Sequence, residues 1–112
     1  KAKSKNVRFF CLTCVNIFEK QDDEIKEFVV TKEMTARVAV EAAIMDGWWK
    51  YVGMNGAVVG MTTFGESAPA PQLFEYFGFT VDNVVKTIAS VASIFLAMTL
   101  KGRRDTFSFL IF

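Results

Sequence analysis

Two cysteines three positions apart, Cys11 and Cys14, are the residues of this chain best suited to chemistry. A C-x-x-C pair can cycle between dithiol and disulfide, or supply half of a zinc site. The zinc reading fails on ligand supply. The chain has no other cysteine and no histidine, whereas zinc normally takes a closed tetrahedral set. The redox reading needs the pair at a helix start behind a strand. Residues 7–12 read as such a strand, so the context is possible. The plainer alternative is two reduced, largely apolar thiols at a strand end. Lack of histidine also removes a Ser-His-Asp arrangement and a Cys-His nucleophile.

The second candidate is the loop Gly65-Glu66-Ser67-Ala68, which runs into Pro69 and a helix. Free N–H groups at a helix start can hold an anion, and Ser67 could add a hydroxyl. Gly65, Ser67 and Ala68 are therefore the candidate anion loop. Glu66 beside them would repel an anion. The spacing of Gly53, Gly56, Gly60 and Gly65 gives neither G-x-G-x-x-G nor a phosphate loop ending in Gly-Lys-Ser/Thr. The alternative is that Ser67 or Ala68 only opens the helix.

The elements that must position these residues alternate. Residues 7–12 form a β-favouring run. A helical stretch follows, with Asn16 as a possible cap, Asp22, Asp23 and Glu24 early, and Phe18, Ile25, Phe28 and Val29 as an apolar stripe. Its charged residues read as a solvated face. Residues 36–43 carry Val38, Ala39 and Val40 in succession, as in a strand covered on both faces. Trp48, Trp49 and Tyr51 crowd the next short helix, where core packing is the simplest role for them. Gly53 and Gly56 are expected to end that helix in left-handed backbone. Residues 57–61 form another buried strand. Helices over 72–77, ended by Gly78, and from Val81 onward, capped by Thr80 or Asp82, complete the pattern. Strand–helix alternation implies an α/β fold with parallel strands and right-handed crossovers.

A chain of 112 residues is one domain at most. It can bury roughly two-thirds of its unfolded surface. Hydrophobic residues make up 52%, which argues against disorder. A net charge of +1 supplies no field for nucleic acid. The basic start, residues 1–5, reads as a solvated end. No signal peptide is visible, since the first apolar run is too short. Reduced cysteines fit a cytoplasmic compartment.

Phe64-Gly65-Glu66-Ser67-Ala68-Pro69-Ala70 and Phe77-Gly78-Phe79-Thr80-Val81-Asp82-Asn83-Val84-Val85 resemble the C-terminal domain of transketolase. So do Val7-Arg8-Phe9-Phe10, Phe18-Glu19-Lys20-Gln21-Asp22, Ala36-Arg37-Val38-Ala39-Val40-Glu41-Ala42 and Gly47-Trp48-Trp49-Lys50-Tyr51-Val52-Gly53. These blocks follow the family's order and spacing. Departures exist. Leu12-Thr13-Cys14 stands where the family has Ser-Met-Pro, and residues 94–112 resemble nothing in it.

The resemblance implies a three-layer α/β/α open sheet, mostly parallel, of about three strands. Residues 1–93 would be a partial C-terminal domain and 94–112 an apolar extension of unknown role. The parent enzyme transfers two-carbon ketol units between sugar phosphates, using thiamine diphosphate and a divalent metal (Mg or Ca). Upstream domains hold those groups, so no catalytic, cofactor or metal residue maps onto this chain, and the chain alone is expected to be inactive. Implied partners are the remaining domains and a second subunit of a homodimer. The family sheet also has a strand between those matching 7–12 and 36–42. Without it, these two would pair directly, or the first would be loosely held. Residues 36–42 and 57–61 should remain neighbours.

Residues 87–100 carry no charge, and Lys101-Gly102-Arg103-Arg104-Asp105 follows. A span needs about 20 apolar residues, so a buried or partner-seeking helix is favoured over a membrane anchor. The last residues, 106–112, are uncharged and β-favouring, an aggregation hazard if exposed. A stand-alone interaction or membrane-associated module using this tail is the alternative function. A small redox protein using Cys11 and Cys14 is a third.

Overall fold

The computed structural model describes residues 6–98 and 106–111; the basic segments 1–5 and 101–105 lie outside the described residues. Four strands form one sheet: β1 (Asn6–Cys11), β2 (Arg37–Ile44), β3 (Ala57–Met61) and β4 (Thr106–Ile111). Their spatial order is β1-β4-β2-β3, and every described ladder is parallel. Helices α1 (Val15–Glu19) and α2 (Asp23–Val29) connect β1 to β2. A 3₁₀ turn (Met45–Trp48) and α3 (Trp49–Val52) connect β2 to β3. After β3 come α4 (Ala70–Tyr76) and α5 (Val81–Met98). The α/β class is the expected one.

Alternation along β2 builds two cores. Ala39 packs with Leu12, Phe18, Trp48, Tyr51 and Val52 beneath α1 and α3, joined by Val29 and Val30 at the end of α2. Val38, one residue earlier, faces the other way and packs with Val91 and Ala92 of α5. Successive strand residues point to opposite faces, so a strand covered twice must be apolar throughout. Val38 pairs with Ala57, Ala39 with Val58 and Val40 with Val59. Residues 36–42 and 57–61 are thus neighbours, as expected. Trp48 and Tyr51 are core aromatics, their rings 5.5 Å apart, while Trp49 is exposed.

The sheet also departs from expectation. β1 and β2 neither pair directly nor leave β1 unheld. β4, from the tail, lies between them, with Cys11 opposite Ile111 and Val38 opposite Phe109. This gives a fourth strand where about three were expected. Helix α5 runs without a break through the position between Ser93 and Ile94. Among the described residues no helix is long and apolar enough to cross a membrane.

Local signals were mostly sound. Gly53 takes φ +70° and ends α3, its N–H donating to the Trp49 carbonyl at 2.9 Å. Gly56 is different, because its φ is not positive. Glycine is needed there for room: a Cβ would lie 2.5 Å from the Val52 carbonyl oxygen and 2.6 Å from that of Arg37. Asn16 sits inside α1 rather than capping it; Cys14 holds the cap position. The stripe on α1 and α2 is only partly covered. Phe18 is buried, but Ile25 and Phe28 are exposed. Thr80, not Asp82, caps α5, accepting the Asn83 N–H at 3.2 Å.

Candidate functional site

Parallel strands bring all their carboxyl ends to one edge, and open α/β sheets usually bind ligands there. The loops after β1, β2 and β3 meet this edge. They carry the sequence-derived candidates.

Cys11 is the last residue of β1, and Cys14 is the extended residue before α1, with φ −149° and ψ 105°. Both thiols are free and exposed. The strand-then-helix context that a redox pair requires is therefore present, although α1 has only five residues. No side chain caps that helix.

Gly65, Ser67 and Ala68 are exposed in the loop after β3. Pro69 caps α4, and Pro71 lies in its first turn. Pro71 has no N–H to offer. Gln72 and Leu73 both donate theirs to the Pro69 carbonyl, at 3.0 and 3.2 Å. At the start of α4, therefore, Pro71 has no N–H and those of Gln72 and Leu73 are taken, while Glu66 stands in the same loop.

Next to it is a cleft of about 300 Å³ bounded by Ala42, Met61, Glu66, Leu73, Phe74 and Phe79. Its wall comes from how α4 ends. Gly78 takes φ +80°, the Phe79 N–H donates to the Phe74 carbonyl at 2.7 Å, and the Gly78 N–H donates to Glu75 at 3.1 Å. That is a Schellman ending, in which the residue past the glycine meets the one five earlier. Accordingly the Phe74 and Phe79 rings stand edge to face, 6.4 Å apart. Sequence reasoning found Gly78 but missed this pair; their spacing around the glycine was the available signal.

Two polar clusters lie away from that edge. Arg37 donates from Nε to the Met34 carbonyl (2.6 Å), from Nη1 to Tyr51 (2.7 Å) and from Nη2 to Thr31 (2.7 Å). Burial lowers its pKa, opposed by the nearby Glu27 charge. The second cluster joins α1 to α3. Lys50 donates to Glu19 Oε1 at 2.7 Å, and the Tyr51 hydroxyl donates to the same oxygen. The Lys50 hydrogen bond, then that from Tyr51, lowers the Glu19 pKa; the Glu19 hydrogen bond raises that of Lys50. Burial, then Glu19, raises that of Tyr51. The first ties connecting segments to β2, and the second ties two connecting helices to each other. Neither was singled out from sequence.

Among the described residues no group of three or more His, Cys, Asp or Glu could hold a metal ion. The described residues therefore do not fit a divalent metal bound with a diphosphate, a ligand pair that needs clustered oxygen donors.

Comparison with known proteins agrees with this scaffold. Residues 1–80 match the family model described as the transketolase-like TK C-terminal domain. The chain is similar to transketolase 2 of Vibrio parahaemolyticus serotype O3:K6, 56% identical over 86 residues, which are 77% of this chain and 13% of that protein. It is 61% identical to transketolase 1 of Escherichia coli K12 over 84 residues, 75% of this chain and 13% of that protein. Transketolase 2 of the same strain is 54% identical over 83 residues, 74% and 12% respectively. The chain thus spans about 13% of the length of the curated relatives it matches. With most of its length matched by both the family model and these relatives, the chain belongs to the transketolase C-terminal domain family.

Proposed function

We propose that this chain serves as the structural, dimer-supporting C-terminal domain of a transketolase. In this reading the parent is a cytoplasmic homodimer that moves two-carbon ketol units between sugar phosphates. Its other domains hold thiamine diphosphate and the divalent metal (Mg or Ca), and they and the second subunit are this chain's partners. Residues 1–93 carry the domain proper, and 94–112 are an extension to it.

One observation supports this most: β2 spends both faces on packing. Ala39 is 0% exposed on one side and Val38 is 3% exposed on the other. Val38 and Ala39, used this way, are not free to meet a substrate, although Ala42 to Ile44 at the end of the strand are exposed. Cys11, Cys14, Gly65, Ser67 and Ala68 take no part in ketol transfer in this reading.

The test is a ketol-transfer assay of the purified chain with added thiamine diphosphate and magnesium. The expected result is no turnover above the protein-free rate. Measurable turnover, lost when the metal is chelated, would overturn the proposal.

A further inference from the structure

The interior position of the sheet is filled from the far end of the chain. β4 lies between β1 and β2, parallel to both, and pairs with β1 along its whole length and with the first half of β2. Asn6 to Cys11 match Thr106 to Ile111 one for one. Arg37 to Val40 match Ser108 to Ile111. Among the described residues, β4 is the ladder partner of β1. Of the two strands that β4 joins, β2 has a ladder partner without it, and β1 is tethered by its connecting helices. β2 and β3 pair with each other, and β1 connects to β2 through α1 and α2. The slot thus has two walls of main-chain donors and acceptors, held by elements earlier in the sequence. An unpaired wall costs free energy, because buried N–H and C=O groups need partners.

The occupant suits such a slot. Thr106-Phe107-Ser108-Phe109-Leu110-Ile111 has no charge, no proline and no glycine, and it is rich in β-favouring residues. Main-chain ladders supply most of the binding in strand addition, while alternate side chains set preference.

We infer that the groove between β1 and β2 is a binding site for an extended, uncharged, apolar peptide strand in parallel register, and that residues 106–111 of the same chain are its built-in ligand. β4 enters as a donated strand, closing a loop that spans nearly the whole chain. Such closure is slow relative to local pairing, so the groove exists as an open acceptor before β4 arrives. This role is independent of the parent enzyme's chemistry.

Two measurements on the full chain test it. In the first, Ile111→Cys is combined with Cys14→Ser, and the protein is oxidised mildly with diamide. Residue 111 is opposite Cys11, and neighbouring strands bring Cα atoms within disulfide range. The expected product is a monomer in which Cys11 is linked to the introduced thiol. A disulfide-linked dimer would overturn donation within one chain and assign the strand to a second copy. Failure of Cys11 to cross-link at all would overturn the slot.

In the second, Ser108→Pro removes a ladder donor from the middle of β4, where proline is not tolerated in a central strand. A fluorescent peptide with the sequence of residues 106–112 is then titrated against both proteins. The variant should bind it at least about tenfold more tightly than the parent chain, whose groove is filled, the preference set by main-chain pairing. Equal affinity for both would overturn the proposal. Should the variant not fold, the cross-link decides alone.

Discussion

The two halves of the sheet are assembled by different means. β2 and β3 are joined by a short connection through α3, and helices cover both their faces. β1 and β4 come from opposite ends of the sequence, and Val7 and Phe9 of β1 remain 47% and 59% exposed. The first half is held by side-chain packing close in sequence. The second is joined by main-chain pairing between segments far apart in sequence. Local contacts form early and cheaply, whereas distant ones must first overcome loop-closure entropy. The two halves should therefore answer differently to substitution.

The largest effect is expected at Trp48, whose indole fills the core beneath α3 and is 7% exposed. Trp48→Ala should cost about 4 kcal/mol, by lost burial plus the cavity left behind. Chemical denaturation would show this as a large drop in midpoint. A loss under about 1 kcal/mol would mean that the β2–β3 half is not packed as described. Next comes Gly56→Ala, which forces a methyl against two carbonyls and should cost about 3 kcal/mol by overpacking. Gly47→Ala, where a Cβ would meet nothing within 4 Å, makes a useful contrast. Phe9→Ala, in the other half, should cost about 1 kcal/mol or less, because most of the ring is already in water. A cost as large as that of Trp48→Ala would erase the distinction between the halves.

The smallest effect is expected from Glu19→Gln, in the exposed cluster that links α1 to α3. The folded pKa of Glu19 lies below its ordinary 4.5, so its contribution is present above that value and fades as pH falls through the folded pKa. That of Lys50 lies above its ordinary 10.5, so its contribution is present below that value and fades as pH rises through the folded one. Glu19→Gln should flatten both ends of a plot of melting temperature against pH, leaving the middle slightly lowered. An unchanged profile would show that the ion pair contributes nothing, as many exposed pairs do.

Local features were legible in the sequence and long-range ones were not. The bounds of β3 and the stop at Gly78 follow from an apolar run between turn residues and from glycine's tolerance of positive φ. Propensity could mark residues 106–112 as strand-forming, but it names no neighbour, so their place between β1 and β2 was out of reach. Gly56 shows a subtler limit. A glycine looks the same in sequence whether it is needed for its φ or for the absence of a Cβ, and here the second reason holds. The Cys11–Cys14 candidates lie at a strand end and before a helix, and Gly65–Ala68 lie in a loop, with Pro69 rather than Ser67 or Ala68 opening α4. The Arg37 cluster was not read at all, because its three acceptors are backbone carbonyls, which every residue type supplies.

Pairing of β1 with β4 also bears on biosynthesis. Within this sequence β1 is made before its hydrogen-bonded neighbour β4, so it waits through translation of everything between them. A premature stop codon ahead of residue 106 would therefore do its damage far from the lesion, leaving β1 without its ladder partner and open to proteases.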